Sequence, residues 1–85
     1  MTTINLKNKL SKKNIEYTEK SYNELNKAIR FTVNGYNVEA DYSEGQNFIY
    51  TYSIVTGYDN LNQEQNYIFF KSLNKVLTFT EKYAN

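Results

Sequence analysis

The chain has 85 residues and a net charge of +1, and it contains no Cys, His, Trp or Pro. That length fits one domain with a thin core, since single domains run to ~100–200 residues. Without Cys and His there is no disulfide framework, thiolate nucleophile, imidazole base, Ser-His-Asp triad or Cys/His metal site.

In chain order, Thr2 and Thr3 are N-cap candidates for a helix running to about Lys13, because a hydroxyl accepts from the free amides of a first turn. Ile4, Leu6 and Leu10 supply its apolar stripe, Lys7, Lys9, Lys12 and Lys13 its other faces, and Asn14 its end. Ile15 to Lys20 alternates apolar and polar, which suits a short strand or a continuation of the first helix. Ser21 to Asn26 reads as a loop or a turn of helix.

Ala28 to Tyr42 carries the strongest local signal. Asn34-Gly35 separates two alternating runs, as a two-residue type I′ hairpin requires. The register then sets Val33 against Tyr36, Phe31 against Val38 and Ile29 against Ala40 on an apolar side. Thr32 faces Asn37, Arg30 faces Glu39 and Ala28 faces Asp41 on a polar side. After a turn at Ser43–Gln46, Asn47 to Val55 is expected as a third meander strand with apolar residues on both sides, a central strand partly covered on both faces. Thr56 to Asn66 reads as a long polar connection and Tyr67 to Lys71 as a compact aromatic strand. Ser72 caps a closing helix from Leu73 to about Tyr83. Leu73, Val76, Leu77, Thr80 and Ala84 form its buried stripe, widened by Phe79 and Tyr83.

The expected fold is a single α+β domain over residues 1–85. An antiparallel meander sheet of 3–5 strands carries the N-terminal and C-terminal helices on one face, in αβββ(β)α order. If Ile15–Lys20 is not a strand and Tyr67–Lys71 joins the last helix, the order reduces to αβββα.

Motifs for chemistry are sparse. The stretch Asp59 to Glu64 departs from calcium-loop spacing at Leu61 and Glu64. Gly35, Gly45 and Gly57 are too far apart for a phosphate-binding loop. The first 20 residues carry five lysines and no apolar core of a signal peptide. The longest near-apolar run, Phe48 to Val55, falls far short of the ~20 residues that span a bilayer. The expectation is a cytoplasmic protein with no membrane contact. Asn, Lys, Ile, Tyr and Phe make up 42 of the 85 residues, so the codon supply implies an AT-rich bacterial or phage genome.

Charge is distributed unevenly. Residues 1–13 hold four Lys and no acid, residues 31–70 hold five acids and no base, and residues 71–85 sum to +2. Ordinary solubility accounts for such a layout. Two functional readings compete with it. Glu39, Asp41, Tyr42, Glu44, Tyr58 and Asp59 are candidates for an acidic, aromatic face that mimics nucleic acid or binds a basic protein surface. Lys7, Lys9, Lys12 and Lys13 are candidates for phosphate contacts on nucleic acid. Tyr36, Tyr42, Tyr50 and Tyr52 serve as interface anchors if exposed and as core edges otherwise. Glu39 and Asp41 share a strand face about 6.5–7 Å apart, but Arg30 opposite makes them a surface ion-pair group rather than an acid–base pair.

The sequence therefore predicts a non-enzymatic binding protein with an unidentified protein partner, as monomer or homodimer. Weak nucleic-acid binding by the first helix is the alternative. No cofactor, metal or catalytic residue is expected.

Overall fold

Asn34 and Gly35 set the sheet. In the computed structural model, which describes residues 1–84, they take positive φ of 49° and 85°, the left-handed pair that a type I′ turn needs. The strands on either side, β2 (Asn26–Val33) and β3 (Tyr36–Ser43), pair in the expected register, with Phe31 opposite Val38 and Arg30 opposite Glu39. β1 (Tyr17–Ser21) joins the outer side of β2. β4 (Thr51–Asp59) joins β3, and β5 (Glu64–Phe70) joins β4. The result is one five-stranded antiparallel meander in the order β1-β2-β3-β4-β5.

Two helices flank this sequence of strands, α1 (Thr3–Lys12) and α2 (Leu73–Lys82). Thr2 Oγ1 accepts from the Asn5 amide at 3.1 Å and Ser72 Oγ from the Lys75 amide at 3.3 Å, so both helices start at the predicted caps. Asn14, at φ 59°, ends α1. Both helices run the same way along one face. The Thr3 amide bonds the Asn47 carbonyl between β3 and β4, and Asn34 Nδ2 donates to Thr80 near the far end of α2.

The core lies between that sheet face and the helices. Ile29, Phe31, Val38, Ala40, Tyr52 and Ile54 meet Leu6, Leu10, Leu73 and Val76, all buried. The period-2 alternation of the strands sends the other half of their side chains to a face that no helix covers.

Several expectations are corrected. The third meander strand begins at Thr51 rather than Asn47, because Phe48 and Tyr50 are exposed and only Ile49 turns inward. It is paired on both sides but covered on one face only. Thr56–Asn66 is mostly strand rather than connection. Beyond Ile54 the strand leaves β3 and continues with β5 as a two-stranded ribbon, past an irregularity between Val55 and Gly57. The Asp59 carboxylate closes its tip by accepting from the Leu61 and Asn62 amides. In the helices, Ile4 and Ala84 are exposed and Leu77 is half-buried, so α1 is anchored by Leu6 and Leu10, and α2 by Leu73, Val76 and Thr80.

Candidate binding face

The uncovered sheet face is ordered in rows by strand register. One row runs Thr18, Arg30, Glu39, Ser53, Phe69 across all five strands. The next runs Lys20, Ala28, Asp41, Thr51. Val55 and Tyr67 face each other on the other side of the first row. The face is thus polar from β1 to Thr51 and Ser53 of β4, and aromatic along β5 at Tyr67 and Phe69.

Glu39 is the hub of the polar half. Its Oε1 lies 3.1 Å from Arg30 Nε and also accepts from the Tyr22 hydroxyl. Tyr22 belongs to the turn between β1 and β2. To reach Glu39 its ring must cross the Ala28–Asp41 row, which accounts for the complete burial of Ala28 on a face without a helix. Desolvation, the bond to Glu39 and nearby negative charge push the Tyr22 hydroxyl up to about 12. Asp41, in the same row as Ala28, is desolvated as well. Burial first, then repulsion from Glu39, push its carboxyl up to about 6. Among the described residues the ion pairs are Lys7–Glu19, Lys27–Glu44 and Arg30–Glu39, and Asp41 takes part in none.

The aromatic half is bare. Phe69 is 67% exposed and Tyr67 46%, with their rings stacked at a centroid distance of 6.3 Å. Tyr58 adds a further exposed ring where the ribbon continues the sheet. Large aromatics gathered in the open on a strand pair are uncommon on an isolated domain surface.

The six acidic and aromatic candidates do not form one surface. Glu39 and Asp41 stand together on the open face. Tyr42 points to the helix face, packed against the core. Glu44 sits in the turn after β3, 3.9 Å from Lys27. Tyr58 and Asp59 lie on the ribbon, where hydrogen bonds from the turn hold the Asp59 carboxyl below its ordinary value. Sequence reading missed Tyr22, Tyr67 and Phe69. The i, i+2 spacing of Tyr67 and Phe69 placed them on one strand face, which was a usable signal. Nothing in the local sequence indicated that Tyr22 folds over the sheet.

The four lysines also divide. Lys7 lies 2.6 Å from Glu19 on β1, a hydrogen-bonded pairing that raises its pKa. Lys9, Lys12 and Lys13 line a shallow groove between the helices with Leu73, Asn74 and Leu77. Among the described residues no group of three or more His, Cys, Asp or Glu is placed to hold a metal ion, and no helix is long and apolar enough to cross a membrane. No protein family, curated protein or solved structure matches the chain.

Proposed function

We propose that the protein acts by binding another protein through the uncovered face of its sheet, without a catalytic step. The observation that carries this reading is the exposed aromatic group of Tyr58, Tyr67 and Phe69 beside the acidic pair Glu39 and Asp41. Such a surface fits a partner that offers an apolar strip next to a basic side chain. The rings supply the apolar area from which interface anchors are drawn, and Asp41, which takes part in no ion pair among the described residues, orients the partner. The composition supports an accessory product of a bacterial or mobile-element genome that works in the cytoplasm.

A second reading rests on Lys9, Lys12 and Lys13. Grouped beside the helix groove, they form a weak phosphate-binding surface for nucleic acid. Lys7 is excluded from that set by its pairing with Glu19.

One experiment separates the two. Wild-type protein, a Tyr67→Ser/Phe69→Ser variant and a Lys9→Gln/Lys12→Gln/Lys13→Gln variant are used to capture partners from the native host, and each is titrated with duplex and single-stranded DNA at ~150 mM salt. A protein retained by the wild type and the Gln variant but lost by the Ser variant supports the first reading. A DNA complex lost only in the Gln variant overturns it in favour of the second.

A further inference from the structure

The sheet has two edges, and they are built differently. β1 has five residues, Tyr17-Thr18-Glu19-Lys20-Ser21, with a charge of each sign, and Lys7 of α1 reaches down to Glu19. Short, charged edges of this kind resist pairing with other strands. β5 has seven residues, Glu64-Gln65-Asn66-Tyr67-Ile68-Phe69-Phe70, with no Lys, Arg or Pro, and every residue but Phe70 is exposed. Ser72 turns the chain back over the helix face, and α2 runs inward to Asn34 and Tyr36, leaving the outer rim of β5 unscreened.

Backbone direction along that rim follows from the hairpin. A two-residue turn makes Val33 and Tyr36 a hydrogen-bonded pair. Alternation across the sheet then points the backbone groups of Glu39 toward β4, those of Ile54 toward β5, and those of Ile68 and Phe70 back toward β4. Thr51 Oγ1 donating to the Phe70 carbonyl at 3.5 Å agrees. The N–H and C=O groups of Tyr67 and Phe69 therefore point outward, away from β4.

We propose that β5 pairs antiparallel with β5 of a second copy of this chain, forming one continuous ten-stranded sheet about a two-fold axis perpendicular to it. Such an axis keeps like faces together, so odd-numbered residues pair with odd and even with even. Centred on Ile68, the register sets Ile68 against Ile68 on the helix face and Tyr67 against Phe69 twice on the open face. Both outward-pointing backbones then find partners, and four aromatic rings gather across the axis. Shifting the register by two residues puts Phe69 opposite Gln65 in one direction and Tyr67 opposite Lys71 in the other. The charges fit as well. Antiparallel pairing brings Lys71 of each copy beside the Gln65 and Glu64 of the other, whereas parallel pairing would set Glu64 against Glu64. The occupant is thus a second copy, because this strand complements itself in sequence, backbone direction and charge. One strand-to-strand contact is a small interface beside the ~1,200–2,000 Å² of specific complexes, so the dimer is reversible and depends on concentration. The inference does not rest on the partner reading above, although both use Tyr67 and Phe69, and the dimer would place two open faces side by side.

The test combines mass with cross-linking. Analytical ultracentrifugation from micromolar to millimolar wild-type protein should show the mass doubling, with the Tyr67 and Phe69 amides gaining hydrogen-exchange protection over the same range. Phe69→Lys, at an exposed position, should keep the monomer's circular dichroism and remain monomeric throughout. In the chain, which has no native cysteine, Ile68→Cys should oxidise readily to a disulfide dimer. Its Cα atoms would lie ~4.5 Å apart across the axis, within disulfide range. Thr18→Cys, on the β1 edge, is the control. A constant monomer mass, or Ile68→Cys cross-linking no faster than Thr18→Cys, would overturn the proposal.

Discussion

Asp41 is expected to make the fold more stable in mild acid than at neutral pH. Its carboxyl stands on the open face under the crossing Tyr22 side chain, beside Glu39 and outside every ion pair among the described residues. Arg30 on β2 is committed to Glu39, and Lys20 on β1 lies 6.0 Å from the Tyr22 ring centroid. With its pKa raised from 3.8 to about 6, the folded state holds a proton that the unfolded state releases. The sign follows from linkage. Where the native state binds more protons, stability falls as pH rises, so this contribution is complete below pH ~4 and lost as pH passes through about 6.

The full shift would correspond to at most ~3 kcal/mol. Asp41 is half-buried, and solvent screening reduces the effect to ~1–1.5 kcal/mol. Asp41→Asn keeps the shape and removes the charge. It should raise stability at pH 7.5 by that amount and flatten the slope between pH 4 and 6.5. Urea melts of both proteins at pH 4.5, 6 and 7.5, at fixed low concentration, measure it. A wild type that is more stable at pH 7.5 than at 4.5, or an Asn variant weaker than wild type at pH 7.5, would refute the argument. Either result would mean that the carboxylate has a favourable partner on this face.

Two further predictions concern what holds the helices to the sheet. Leu73→Ala, at a position 2% exposed, should cost about 2–5 kcal/mol in denaturant melts, while Leu77→Ala, at a half-buried position, should cost less than ~2 kcal/mol. Equal losses would mean that α2 is rotated relative to the packing described. Asn34→Gly keeps the positive φ of the turn but removes the 3.2 Å hydrogen bond to the buried Thr80, so it should cost about 0.5–1.5 kcal/mol and leave the NMR contacts between residues 31 and 38 in place.

What the sequence disclosed depended on how many local rules agreed. At Asn34-Gly35, turn chemistry, alternation and charge pairing all pointed to one register, and the structure has that register. Helix starts at Thr2 and Ser72 were legible because an N-cap acts within three residues. The ribbon at Thr56–Asn66 was not. Its strands extend beyond the core, so no buried face imposes an apolar period on them. Polar residues then look the same in a ribbon as in a loop. The start of β4 was misplaced for the converse reason. Phe48 and Tyr50 continue an apolar alternation that looks buried in the sequence, yet both stand exposed before the strand begins.

The candidate face was less legible because it is assembled by contacts distant in sequence. Glu39 and Asp41 could be placed side by side from their spacing, but their setting comes from Tyr22, 17 residues before Glu39. The crossing of Tyr22 gives the polar half an internal cover, with Ala28 buried, Glu39 Oε1 held by two donors and Asp41 desolvated. The aromatic half has no such cover. Tyr67 and Phe69 stack only on each other, at the edge whose backbone is also unpaired. Exposed apolar surface and unpaired backbone therefore coincide along β5. A partner for the open face and a second copy for the edge would both draw on Phe69. On both proposals this residue, rather than the acidic positions between Glu39 and Glu64, is the one whose substitution should be felt first.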